Sequence, residues 1–112
     1  MSKYILLKIN NTIDNPIIFN DPEKLKERAS GNWRITLKTI SQTKNVLLLY
    51  RGKVLAEYLL NDTFKMIRDN DSYRIKLGLD IVDNSNKVGK EMVTKTANPV
   101  SLMEEENMQW IN

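Results

Sequence analysis

Apolar positions along this chain fall into short blocks parted by turn-forming residues, and most blocks carry a readable period. Residues 3–9, Lys-Tyr-Ile-Leu-Leu-Lys-Ile, form a near-continuous apolar run that predicts a buried strand. Asn10 to Asn15 is turn-rich, and Pro16-Ile17-Ile18-Phe19 reads as a short extended piece behind a proline. Asp21 then offers an N-cap carboxylate, Pro22 suits the first helical position, and Glu23 favours the positive helix end. With Leu25 and Ala29 on one face and Gly31 suited to a left-handed stop, residues 22–30 are predicted as a helix. Residues 33–43 fit two periods. Trp33, Ile35 and Leu37 alternate like a strand, whereas Leu37, Ile40 and Ser41 fit a short helix capped by Thr36.

The strongest local signal is a hairpin. Asn45–Tyr50 and Lys53–Leu60 are two β-rich runs around Arg51-Gly52, with Gly52 able to take the positive φ of a primed turn. Asn61-Asp62-Thr63 reads as the cap of a short helical or turn segment holding Phe64, Met66 and Ile67. Tyr73, Ile75, Leu77, Leu79 and Ile81 alternate with Arg74, Lys76, Gly78 and Asp80, which predicts one half-buried strand over 73–81. Asp83 to Lys87 is a turn, Val88 to Lys95 is weakly patterned, and Val100-Ser101-Leu102 after Asn98-Pro99 suggests a final edge strand. The sum is α+β: a curved, mostly antiparallel sheet of about five strands with two or three short helices. A single domain is expected over 1–102, followed by a flexible acidic tail at 103–112.

A length of 112 residues suits one domain, and 41% hydrophobic content is too much for a disordered chain. The absence of cysteine excludes disulfides, thiolate metal sites and thiol nucleophiles. The absence of histidine removes the usual general base and the commonest metal ligand. Asp69-Asn70-Asp71 and Asp80-Ile81-Val82-Asp83 lack the spacing of a calcium loop and read as polar turns. No phosphate-binding glycine loop or nucleophile elbow is present. A binding role without cofactor, metal or catalysis is therefore expected, in the cytoplasm and without a membrane span.

Charge gives that role a direction. The net charge of +3 is uneven: residues 24–53 alone carry +7, while Glu104, Glu105 and Glu106 make the last stretch negative. A local excess of this kind attracts polyanions. Trp33-Arg34 could form a stacking platform for a base, although a lone Trp at such a junction is more often a core anchor. Arg51 and Lys53 place two cations at a hairpin tip, and Lys90 follows Gly89 as a further anion contact. The candidate nucleic-acid-binding residues are Trp33, Arg34, Lys38, Lys44, Arg51, Lys53 and Lys90.

The order Arg28…Gly31-Asn32-Trp33-Arg34-Ile35, Asn45–Tyr58, Tyr73–Gly78, Val88-Gly89-Lys90 and Asn98-Pro99-Val100 resembles a small, little-characterised domain of bacterial and phage proteins. That domain is found beside GIY-YIG-type nucleases and other defence-linked genes. It is similar in outline to PUA-like and EVE-like pseudo-barrels that read nucleic acids, and the likeness spans roughly residues 28–102. Leu77 stands where that family generally has an aromatic. The resemblance implies a pseudo-barrel and a nucleic-acid ligand. The alternative is a phage- or mobile-element-encoded module that occupies a host or defence protein, through the hairpin edge or the 100–112 segment.

Overall fold

The computed structural model describes residues 2–9, 21–94 and 98–111. In chain order these form β1 (Lys3–Ile9), α1 (Pro22–Ser30), α2 (Leu37–Gln42), β2 (Asn45–Tyr50), β3 (Lys53–Leu60), β4 (Lys65–Asp69), β5 (Ser72–Lys76), β6 (Leu79–Ile81), β7 (Glu91–Met92), β8 (Val100–Glu104) and β9 (Trp110–Ile111). The fold is α+β. One mixed, strongly curled sheet runs β8-β1-β2-β3-β7-β9 with β6 also on β3, and β4–β5 form a separate ribbon. The extended piece expected at 16–19 lies outside the described residues.

Two local signals act as the sequence suggests. The Asp21 carboxylate accepts from the backbone N–H groups of Glu23 and Lys24, and Gly31 closes α1 at φ 31°. Arg51 and Gly52, at φ 50° and 83°, make the primed two-residue turn of the β2–β3 hairpin. A bulge between Leu48 and Leu49 coils that hairpin.

The described strand pairs are antiparallel, as the sequence suggests, with one exception at the centre of the sheet. β1 and β2 pair in parallel, Ile5 opposite Val46 through Ile9 opposite Tyr50, so the long connection between them carries both helices. Both strands are buried on both faces, which is why they read as unbroken apolar runs. Ile5, Leu7, Ile9, Val46 and Leu48 face a core closed by Leu25, Ala29, Trp33 and Ile75. Tyr4, Leu6, Leu47 and Leu49 face a smaller core closed by Met92 and Met108.

Three further expectations change. Residues 65–69 are a strand, not a helical turn, because they pair with β5 from Lys65↔Lys76 to Asp69↔Ser72. The alternating stretch 73–81 is broken into β5 and β6, in different sheets. The break falls at Gly78, where a Cβ would collide with the Asn61 and Thr63 side chains, and Gly78 O accepts from Asn61 N at 2.9 Å. Residues 103–111 are not a free tail. Glu105 N donates to Ser2 O at 2.9 Å, Met108 is buried, and β9 pairs with β7. Lys87 secures that segment, with its Nζ 3.4 Å from Glu105 and 5.0 Å from the Tyr4 ring centre. Burial pulls the Lys87 pKa down, but the Tyr4 hydroxyl and the Glu105 and Glu57 charges outweigh it and leave it raised. Among the described residues, no helix is long and apolar enough to cross a membrane.

Candidate functional site

The site begins with Trp33. After Gly31 turns the chain out of α1, Trp33 and Ile75 exchange backbone hydrogen bonds at 3.0 and 2.9 Å. The indole Nε1 donates to Ala29 O at 2.7 Å, and the residue is 8% exposed. Trp33 is thus a core anchor, the more frequent role for a lone Trp at such a junction, and not an open stacking platform.

Because Trp33 and Ile75 point inward, their sequence neighbours point outward. Asn32 and Arg34 are exposed on one side, and Arg74 reaches across from β5, with its Nη1 donating to Asn32 O at 3.2 Å. Arg28 rises from the last turn of α1, where its charge also complements the helix C-terminus. Asn98, Pro99 and Val100 at the start of β8 supply the opposite wall, anchored where Pro99 O accepts from Lys8 N at 2.8 Å. These residues enclose an open groove of about 520 Å³. Three guanidinium groups from three segments line it, and among the described residues no carboxylate does. Among the described residues no hydrogen bond or ion pair holds the Arg28 or Arg34 guanidinium.

The remaining predicted residues do not converge on one face. Ile9, Tyr50, Lys53 and Val100 share one end of the sheet by register, so the hairpin tip and the groove lie at the same end. There the Arg51 guanidinium sits 5.3 Å from the Tyr50 ring centre and Lys90 sits 5.7 Å from that of Trp110. Lys53 is exposed but lies opposite Glu91. Lys44, just before β2, is at the other end, roughly 20 Å away along β2, and Lys38 on α2 lies outside the groove lining. Arg34 is therefore the one predicted cation in the groove, and Arg28 and Arg74 are the partners that sequence reasoning did not select. Arg28 was in view as part of the basic span, whereas nothing short of the Trp33–Ile75 pairing places Arg74 beside it.

The groups with shifted pKa values lie outside the groove lining. Burial raises the Tyr58 hydroxyl to about 12, with the Glu23 charge adding to it, and burial lowers Lys8. Glu106 is raised by its hydrogen bond to Glu104, then by desolvation and the Glu104 charge. No group of three or more acidic residues among the described ones could hold a metal ion. What the groove offers chemically is dense, fixed positive charge with amides at its rim. No family model, curated protein or solved structure matches this chain.

Proposed function

We propose that this chain is a non-catalytic nucleic-acid-binding module whose main contact is the Arg28/Arg34/Arg74 groove. One observation carries the reading: three guanidinium groups meet around an open groove that no carboxylate of the described residues lines. The Arg28 and Arg34 guanidinium groups have no ion pair or hydrogen bond among the described residues, and a polyanion would supply the counter-charge that their closeness favours. The guanidinium fork matches phosphate oxygens bidentately and keeps its charge at every working pH. The groove volume of about 520 Å³ falls in the range of small-ligand sites and gives room for one nucleotide. Arg51 and Lys90 extend the positive field from the same end of the sheet, while Asn32 and Asn98 bring amides that can pair with base edges. A PUA-like pseudo-barrel is the finer fold reading we attach to this function, and the curl of the mixed sheet supports it.

The test is fluorescence anisotropy of a labelled single-stranded oligonucleotide at low salt. Arg28→Gln/Arg34→Gln/Arg74→Gln should weaken binding by at least about tenfold, given that hydrogen bonds to charged groups contribute about 1.5–3 kcal/mol each. Lys24→Gln/Arg68→Gln, exposed cations outside the groove lining, should change it less than about twofold. Equal effects from the two variants, or no binding by the native protein, would refute the reading. A protein-interaction module is the second reading, favoured by Met66 and Tyr73, which are 50% and 57% exposed on the β4–β5 ribbon. It predicts a partner whose capture is lost on Met66→Ser/Tyr73→Ser and is indifferent to the arginines.

A further inference from the structure

We infer that the ligand is a single strand whose path continues beyond the arginine groove, across the outward face of β5, into a second groove lined by lysines. This rests on the nucleic-acid reading above and adds to it the strandedness and a second subsite. The second groove, of about 340 Å³, is lined by Lys26, Lys65 and Lys76 together with Ser30, Thr63 and Asp80. It flanks the C-terminal turn of α1: Lys26 and Ser30 line it, whereas Arg28 and Asn32 line the arginine groove.

Register explains the convergence. In the β4–β5 ribbon Lys65 lies directly opposite Lys76, and Ile67 opposite Arg74. Opposed residues of an antiparallel pair share a face, so Lys65, Lys76 and Arg74 all project from the same side. Like charges directly opposite one another destabilise a ribbon. Neither Lys65 nor Lys76 has an ion pair or hydrogen bond among the described residues to relieve that repulsion. Asp80 is the one carboxylate of the lining among the described residues, and its Oδ1 already accepts from Asn61 Nδ2 at 3.1 Å. Arg74 and Lys76, two positions apart on one strand face and so about 7 Å apart, join the two grooves.

The strandedness follows from stiffness. Two concavities on either side of a helix end demand a ligand that bends within a few nucleotides. A duplex, with a persistence length of about 50 nm, does not bend so sharply without a large deformation energy. A single strand does, and grooves that track its backbone are the common way to bind it.

The test compares labelled oligothymidylates of about 3 and about 10 nucleotides, a length range that spans one to two subsites. Lys26→Ala/Lys65→Ala/Lys76→Ala should weaken the longer strand about tenfold and flatten its salt dependence by about 2 in log–log slope, at about 0.7 per phosphate contact. The shorter strand should bind the variant within twofold of the native protein, and a duplex of the longer length should bind the native protein more weakly than the single strand. Unchanged binding of the longer strand, equal loss for both lengths, or tighter duplex binding would overturn the inference. If the arginine variant also leaves every affinity unchanged, the nucleic-acid reading fails as well. If the arginine variant alone weakens binding, only the continued path fails. All three lysines are outside the cores, so a variant that unfolds at or above the native temperature shows that folding is not the cause.

Discussion

Replacing Trp33 with Phe separates a core role from a ligand role, because the two roles move different observables. The substitution removes the Nε1–H that donates to Ala29 O at 2.7 Å and leaves a partly filled space under Gly31, whose Cα side lies against the indole. A net hydrogen bond contributes about 1 kcal/mol, and the stranded carbonyl in a buried setting adds a comparable penalty. Reduced packing brings the total to about 2–3 kcal/mol. Unfolding entropy scales with chain length, so each kcal/mol lowers the Tm of a chain of this size by about 4 °C, and a fall of about 8–12 °C is expected. Thermal unfolding by circular dichroism measures it. Oligonucleotide affinity of the folded variant, read by anisotropy well below its Tm, should stay within about twofold. Had the indole stacked on a base, the loss would be about 1–3 kcal/mol of binding, or roughly 5–150-fold. A Tm shift under about 2 °C with an affinity loss of that size would refute the placement of Trp33 in the core.

Other consequences follow from the same geometry. Met108→Ala should destabilise the protein by about 2 kcal/mol, near the low end for a buried methionine because the site is at the rim of the smaller core, and urea unfolding measures it. No loss would restore the free-tail reading of residues 103–111. Tyr58, raised from 10.0 to about 12, holds its proton more tightly folded than unfolded. Its contribution is therefore complete below about pH 10 and is lost as pH rises toward 12, about 1.4 kcal/mol of it by pH 11. Tyr58→Phe should remove that part of the alkaline loss and leave the part due to Lys87, so an unaltered pH profile would contradict the burial argument. Lys76→Glu should raise stability by about 0.2–1 kcal/mol by turning a like-charge pair with Lys65 into an opposite one, while weakening single-strand binding. Lower stability would show that the two ammonium groups do not face one another.

Elements whose signals are local were legible in the sequence. Asp21-Pro22-Glu23 and Gly31 define α1 by their own hydrogen bonds and backbone angles, and Arg51-Gly52 defines the hairpin by its turn. What failed depended on contacts between distant residues. The alternation from Tyr73 to Ile81 persists across Gly78, yet the chain there leaves the ribbon for the main sheet because the Asn61–Thr63 turn packs against the glycine. Three glutamates at 104–106 disguised Met108 and Trp110, whose two-residue spacing turns both toward the smaller core. The parallel β1–β2 pair left its mark as two unbroken apolar runs, which report burial on both faces but not which strands lie side by side. The site shows the same division. Arg34 was visible in a basic span, but its partnership with Arg74 needs a backbone pairing between segments 42 residues apart. Lys38 and Lys44 were grouped with it by sequence proximity, although neither lines the groove and Lys44 lies at the end of β2 opposite the hairpin tip.

The most direct test of the account is the salt dependence of binding between the native protein and a labelled single strand of about 10 nucleotides, titrated from about 50 to 200 mM salt. With three arginines and three lysines each meeting a phosphate, the log–log slope should be about −4, and affinity should fall by roughly two to three orders of magnitude across that range. A slope near zero, or no binding at the lowest salt, would contradict the account and leave the exposed apolar face of the β4–β5 ribbon as the surface to pursue.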